Sequence, residues 1–328
     1  MSAKRLEQLA KATKTAFLFP GQGSQKVGML SELAEQFSSI NETFAEASNA
    51  IGFDLWNIAQ SGEGLDQTEN TQPVLLTASI ALWRVWLDLG GVAPKYLAGH
   101  SLGEYSALVA ANSMTLADAV KLVNLRGKLM QSAVPQGQGA MAAILGLEDA
   151  KVLALCAEVT AQGQGAVEAA NYNAQGQVVI AGDKTSVEAV MATAKENGGK
   201  AIALPVSVPS HCSLMKPAAE QFADALEHTA IELPSIPVIQ NVNAGIATDV
   251  AQLRQALTAQ LYQSVQWTKT MQFLQDQGIQ YVAECGPGNV LANLAKRLPN
   301  IEKAFPLDTQ SRMEDALNAI LVAEGKIA

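Results

Sequence analysis

Apolar and polar positions along the chain switch repeatedly between a strand-like run and a helix-like period. Thr15-Ala-Phe-Leu-Phe19 is a short apolar run closed by Pro20, which predicts a buried strand. Gly21-Gln-Gly-Ser-Gln25 follows as a turn, and a helical stretch runs from Glu32 to Ala50. Thr77 to Leu89 predicts a helix that is apolar nearly all round, hence buried. Tyr96 to Ala98 reads as a strand, Gly99-His-Ser-Leu-Gly103 as a tight turn, and Glu104 to Ala111 as a small-residue helix. Leu116 to Gln131 is amphipathic, and Thr115 with Asp118 three residues on gives it a capping pattern. Strands alternating with helices predict a parallel α/β sheet.

The pattern changes near Pro135-Gln-Gly-Gln-Gly139. A strand (Ala140 to Leu145), a helix (Asp149 to Gln162), two strands (Val167 to Asn171, Gln177 to Ala181), a helix (Thr185 to Asn197) and a strand (Ala201 to Pro205) follow. This β-α-β-β-α-β order is that of a ferredoxin-like unit, read here as a small domain inserted into a larger one. From about Val206 the chain returns to α/β, with helices from Lys216 to Thr229 and Val250 to Leu261. Strands run from Val238 to Val242 and from Tyr281 to Glu284, the latter entering Cys285-Gly-Pro-Gly288. The expected division is a large α/β domain of residues 15–133 and 206–328 and a small domain of residues 134–205. Residues 1–14 read as a basic extension outside the fold.

Composition narrows the function. At 328 residues the chain fits about two domains. Apolar residues make up 48% and charged residues 16%, which excludes a disordered chain and implies a large dry interior. A net charge of -9 argues against non-specific nucleic-acid binding. No apolar run reaches the length of a membrane span, since Arg84 and Asp88 interrupt the stretch from Val74 to Val92. The N-terminus lacks the apolar core of a secretory signal. Cys156, Cys212 and Cys285 are too few and scattered for a disulfide framework, and no metal-binding spacing occurs. A cytoplasmic protein without a metal or bound cofactor is expected.

Gly99-His-Ser-Leu-Gly103 fits the G-x-S-x-G nucleophile elbow. A serine on a sharp strand-to-helix turn leaves no room for side chains at its flanks. The helix behind it aims N-terminal amides at an oxygen that turns negative in acyl transfer. The plainer alternative is an ordinary strand-helix connection with a capping serine. A serine nucleophile needs a base. His100 adjoins Ser101 on the turn, and His228 lies in a charged helical stretch. His211, after Val206-Ser-Val-Pro-Ser210, is therefore the candidate base. Cys212 beside it is read as a small buried hydrophobe. The glycine-rich loop Gly21-Gln-Gly-Ser-Gln-Lys-Val-Gly28 has neither dinucleotide nor P-loop spacing, and fits better as the donor of one backbone N–H to an oxyanion hole. Arg126 falls on the apolar face of its helix, grouped by spacing with Leu122, Leu125 and Leu129. A cation there needs a partner: an internal salt bridge, or a substrate carboxylate held in two parallel hydrogen bonds.

From about Thr15 onward the chain resembles the malonyl-CoA:acyl carrier protein transacylases of bacterial fatty-acid synthesis. The resemblance rests on a series of motifs in order: Phe19-Pro-Gly-Gln-Gly-Ser-Gln25, Thr71-Gln-Pro73, Gly99-His-Ser-Leu-Gly-Glu-Tyr-Ser106, Met141-Ala-Ala-Ile144, Gln177-Val-Val-Ile-Ala-Gly182, Pro205-Val-Ser-Val-Pro-Ser-His211, Val265-Gln-Trp267 and Gly286-Pro-Gly288. It implies a hydrolase-like α/β domain with a nucleophile elbow. It makes Ser101 the acylated residue, His211 its base, Arg126 the seat of the malonyl carboxylate and Gln72 a pocket neighbour. Gln22 and Leu102 would supply oxyanion N–H groups, and the Gln260 backbone carbonyl would orient His211 in place of a carboxylate. The implied partners are malonyl-CoA and acyl carrier protein, met by a monomer. Asn112 departs from a common glycine, and Asn tolerates the left-handed conformation. Lys121 with Lys128, or Lys296 with Arg297, are candidates for the basic patch that two acidic partners require. A serine esterase or thioesterase would share Ser101 and His211 but leave Arg126 without a task, and a carrier-protein docking module would be indifferent to Ser101.

Overall fold

The structure, a computed structural model, describes residues 13–163, 165–206 and 208–327. The chain runs through β1 (Thr15–Phe19), α1 (Ser31–Gln36), α2 (Ser38–Ile51), α3 (Leu55–Ser61), α4 (Thr68–Asp88), β2 (Tyr96–Gly99), α5 (Gly103–Ala110) and α6 (Leu116–Ala133). It continues through β3 (Gly139–Leu145), α7 (Asp149–Ala161), β4 (Val167–Ala174), β5 (Gln177–Asp183), α8 (Lys184–Glu196) and β6 (Lys200–Ala203). A short 3-10 turn leads into α9 (Lys216–His228), β7 (Val238–Ile239), α10 (Val250–Gln260), α11 (Trp267–Asp276), β8 (Tyr281–Glu284), α12 (Val290–Ala295), β9 (Lys303–Pro306) and α13 (Gln310–Ala323).

Five strands form a parallel sheet in the order β7-β2-β1-β8-β9. β1 lies in the middle and is buried along its whole length. Its period-2 alternation serves both faces. Phe17 and Phe19 join one core with Trp86 and Leu97, while Ala16 and Leu18 join a second with Val282 and Trp267.

A second, antiparallel sheet has the order β4-β5-β3-β6. One face packs Ala142, Ile144, Val178 and Ile180 against Val152 of α7 and Val187 of α8. The other face, through Met141, Val179 and Ala181, covers Cys212. The sheets are joined along β4, where Val265 exchanges backbone bonds with Ala170 (2.9 Å) and Tyr172 (3.0 Å). Glu168 on β4 also accepts the backbone N–H of Ser213 at 3.2 Å, and its hydroxyl besides.

The differences from the sequence reading have physical causes. The helix expected from Glu32 to Ala50 is two helices, because Phe37 turns extended and packs on the core. α4 begins at Thr68 and carries Pro73 inside it. Proline has no N–H for the Glu69 carbonyl one turn back. That oxygen instead accepts Asn124 Nδ2 of α6 at 2.8 Å. Leu125 is not on the apolar face; it is exposed, and the buried stripe of α6 is Leu122, Val123, Arg126 and Met130. The strand expected from Val238 to Val242 ends at Ile239. Of the expected extension, residues 1–12 lie outside the described residues. Lys14 already belongs to the fold, donating its backbone N–H to Glu324 and accepting that of Gln280. Asn112 takes the left-handed conformation, at φ 57°.

Candidate active site

The site stands at the carboxyl ends of β1 and β2, where open parallel sheets place their clefts. Leaving β2, the chain reverses within a few residues into α5. The His100 N–H caps the Phe19 carbonyl at 2.9 Å, and Gly103 N–H bonds back to the His100 carbonyl at 2.9 Å. A Cβ on Gly103 would fall 1.9 Å from the Phe19 carbonyl oxygen, and one on Gly99 1.9 Å from Gly103 itself. Only glycine fits at either flank. Ser101 between them is driven to φ 53°, a left-handed conformation costly for a side-chain-bearing residue. His211 is likewise at φ 63°, so both members of the pair are held under backbone strain.

His211 Nε2 lies 2.8 Å from Ser101 Oγ, and its Nδ1 lies 2.6 Å from the Gln260 carbonyl. Its backbone N–H donates to the Leu261 carbonyl at 3.0 Å. Gln260 ends α10, where the last carbonyls of a helix have no partner of their own. A histidine that donates Nδ1–H there leaves Nε2 to accept the serine proton. The helix's negative end favours the imidazolium that results. Burial, reinforced by the Arg126 charge, holds the His211 imidazole down at about 3, so it rests neutral.

Arg126 is buried and reaches the same point. Its Nη2 donates to Ser101 Oγ at 3.2 Å and to Gln260 Oε1 at 2.9 Å, and its Nη1 to Gln72 Oε1 at 2.9 Å. The guanidinium lies 5.4 Å from the centre of the Tyr105 ring. Its Nε has no partner, and no carboxylate pairs with it among the described residues. Burial pulls its pKa below the ordinary arginine value. A buried cation without a countercharge in contact is costly, and a ligand carboxylate would relieve that cost.

Ser101, His211, Arg126, Gln72, Gln22 and Leu102 all line one cavity of about 120 Å³, walled by Met130, Met141, Leu204, Val206 and Val208. Gln260 stands behind it, fully buried. The backbone N–H groups of Gln22 and Leu102 donate to no protein acceptor among the described residues. Leu102 caps the N-terminus of α5, where N–H groups lack intrahelical partners. The other histidines are elsewhere engaged. His100 Nε2 pairs with Asn173 Oδ1 at 2.8 Å, and exposed His228 with the Asp224 carbonyl at 2.7 Å. The Cys212 thiol donates to the Pro209 carbonyl, under the second sheet. Among the described residues no three His, Cys, Asp or Glu side chains gather as a metal site.

Two residues were not singled out from the sequence. Asn241, just past β7, accepts the Ser101 N–H at 2.7 Å and donates to the Gly99 carbonyl at 2.6 Å. Glu104, fully buried in α5, accepts Gln260 Nε2 at 2.7 Å and the Asn241 N–H at 3.1 Å. A lone carboxylate in the otherwise uncharged, largely buried run from Gly103 to Ala110 is the same kind of signal that marked Arg126.

Residues 16–300 match the family model of the acyl transferase domain. The malonyl CoA-acyl carrier protein transacylase of Salmonella typhimurium is 52% identical over 308 residues, covering 93% of this chain and 99% of the relative. The crystal structure of FabD from Acinetobacter baumannii is 84% identical, with a TM-score of 0.94 over 95% of this chain and 99% of that one. A malonyl-transacylase solved in complex with a type II PKS acyl-carrier protein is 48% identical. It has a TM-score of 0.90, covering 93% and 99% of the two chains.

Proposed function

The chain belongs to the acyl transferase domain family, and we propose that it carries malonyl groups from malonyl-CoA to the phosphopantetheine thiol of acyl carrier protein. The observation that carries the reading of the site is the buried Arg126. Its guanidinium touches the nucleophile and has no carboxylate in contact among the described residues. A malonyl group differs from acetyl by the terminal carboxylate that such a group would seat, with Gln72 beside it.

The transfer takes two matched steps. His211 Nε2 takes the proton of Ser101 as Oγ attacks the thioester carbonyl. The carbonyl oxygen turns negative between the N–H groups of Gln22 and Leu102. The intermediate collapses, the C–S bond breaks, and His211 returns its proton to the departing CoA sulfur. The carrier thiol then enters, His211 takes its proton, the sulfur attacks the malonyl-serine ester, and as the C–O bond breaks His211 returns the proton to Ser101 Oγ. One thioester replaces another, so the exchange is near balance and reversible. Ser101, His211 and backbone amides account for every bond change, and the reaction as written calls on no metal or bound cofactor.

We read the turn at Ser101 as a nucleophile elbow in a hydrolase-like larger domain of residues 15–133 and 206–328. The antiparallel sheet belongs to a ferredoxin-like inserted domain of residues 134–205, whose β-α-β-β-α-β order and strand order support that reading. Among the described residues no helix is long and apolar enough to cross a membrane. Three free, buried cysteines are in keeping with work in a reducing cytoplasm, where we propose that the protein acts as a monomer and supplies fatty-acid elongation. Lys121, Lys128, Lys296 and Arg297 are all exposed and available to an acidic carrier.

The direct test is mass spectrometry of the intact protein after malonyl-CoA. A malonyl adduct on Ser101 that discharges on adding holo carrier protein is expected, with none on Ser101→Ala. Turnover in that variant should fall on the order of 10⁶-fold, as for other serine nucleophiles. Release of free malonate instead of transfer would mark a thioesterase.

A further inference from the structure

Glu104 has no task in the steps above, yet it sits at the foot of the site. It is the second residue of α5, three positions beyond Ser101, and fully buried. Its Oε2 accepts a hydrogen bond from Gln260 Nε2 at 2.7 Å, and its Oε1 has no donor among the described residues. The same Gln260 amide accepts Arg126 Nη2 on its oxygen at 2.9 Å. The amide therefore stands between carboxylate and guanidinium, its NH₂ end toward the anion and its oxygen toward the cation. Both charges polarise it in the same sense. A direct ion pair would cover the guanidinium edge. An interposed amide conveys the countercharge through one Nη2 hydrogen and keeps an anion out of contact with the guanidinium.

We propose that Glu104 is the remote countercharge of Arg126, a positioning residue acting through the Gln260 side chain, whose ionisation sets how well a negatively charged acyl group is received. This rests on the seating of the malonyl carboxylate on Arg126. Burial lifts the Glu104 carboxyl to about 7, although its hydrogen bonds to Gln260 and Asn241 and the Arg126 charge oppose the rise. It thus stands near half-ionised at neutral pH. A malonyl carboxylate brings a second negative charge into the same buried volume, and Glu104 answers by taking up a proton. An acetyl group brings no charge and leaves Glu104 as it was.

The other groups facing this network do not exchange protons near neutrality. Tyr105 of the same helix is raised further above its ordinary value by burial, and Arg126 of α6 stays charged. Burial holds His211 at about 3 and lowers His100 below its ordinary value.

The experiment compares malonyl and acetyl N-acetylcysteamine thioesters, which carry no phosphates, in Ser101 acylation from about pH 5.5 to about pH 8.5. In the wild type the malonyl-to-acetyl ratio of kcat/KM should fall about tenfold as pH rises, the effect of shifting one carboxyl by about one unit. In Glu104→Gln the ratio should be flat, and in Glu104→Asp the slope should return. A second measurement needs no variant. Acylation exchanges one hydroxyl for one thiol and moves no net proton. In weakly buffered solution at pH 7 the wild type should therefore take up a fraction of a proton with the malonyl donor and none with the acetyl donor. A wild-type slope in Glu104→Gln, or no uptake with the malonyl donor, overturns the proposal. If Arg126→Ala keeps the malonyl preference, the carboxylate seat itself has failed. If that preference is lost while Glu104→Gln keeps the slope, only the Glu104 proposal has failed.

Discussion

Asn241 Oδ1 accepts the backbone N–H of Ser101 at 2.7 Å, tying a residue just past β7 to the proposed nucleophile on the neighbouring strand's turn. The same side chain donates to the Gly99 carbonyl at 2.6 Å, so one amide spans the reversal from both sides. This clamp offsets part of the strain of Ser101 at φ 53°. Asn241→Ala leaves that N–H without its acceptor, a loss of about 1–3 kcal/mol in stability. Serine acylation should slow for malonyl and acetyl donors alike, because the clamp holds the nucleophile and not the acyl group. Urea unfolding and single-turnover acylation measure the two effects. An unchanged midpoint and rate would remove Asn241 from the account.

The acid limb of the first half-reaction reports on His211. A base held at about 3 by burial and by Arg126 is neutral over the whole range above that value. With an acetyl donor, which leaves Glu104 as it was, the kcat/KM for acylation should therefore hold steady as pH falls through 6.5, the ordinary imidazole midpoint, and decline only at lower pH. A single-turnover profile with its limb at about 6.5 would mean a solvated imidazole, at odds with the geometry.

Glu284 gives a stability test of known sign. It is fully buried at the end of β8, with Oε2 accepting the Ala292 N–H at 2.8 Å, and burial raises its carboxyl from the ordinary 4.5 to about 7. A raised pKa means its contribution is full below about pH 4.5 and is lost as pH rises through 7. Glu284→Gln cannot ionise and escapes that loss. Between these two pH values the variant should gain on the wild type by up to about 3 kcal/mol. Parallel denaturation curves at pH 4.5 and pH 8 measure the difference, and an equal offset at both would contradict it.

Much of the site was legible because its chemistry is local. The glycines beside Ser101 mark the turn, since Gly99 and Gly103 press on each other and on Phe19. His211 emerged because His100 and His228 had poorer settings. Arg126 stood out as a cation on an apolar stripe, though Leu125 was placed on that stripe wrongly. Successive helix positions turn by about 100°, and the buried arc centres on Leu122, Val123 and Arg126. Asn241 was not legible. Its partners lie on another strand, and the expected run from Val238 to Val242 hid the bend that brings it there. Pro73 inside α4 was equally silent, because the Asn124 side chain that takes up the freed Glu69 carbonyl comes from α6.

The central claim is that Arg126 selects malonyl by its carboxylate, and the ratio of malonyl-CoA to acetyl-CoA turnover in Arg126→Ala tests it most directly. A charge-assisted hydrogen bond contributes about 1.5–3 kcal/mol, so the loss of two should cut malonyl transfer by orders of magnitude. Acetyl transfer never uses them and should be spared or improved. Arg126→Lys should rescue poorly, because a point charge cannot reproduce the planar pair of donors. A fall of the ratio by a hundredfold or more is the predicted result. Equal loss of both activities would make Arg126 a structural cation and leave the malonyl carboxylate without its seat.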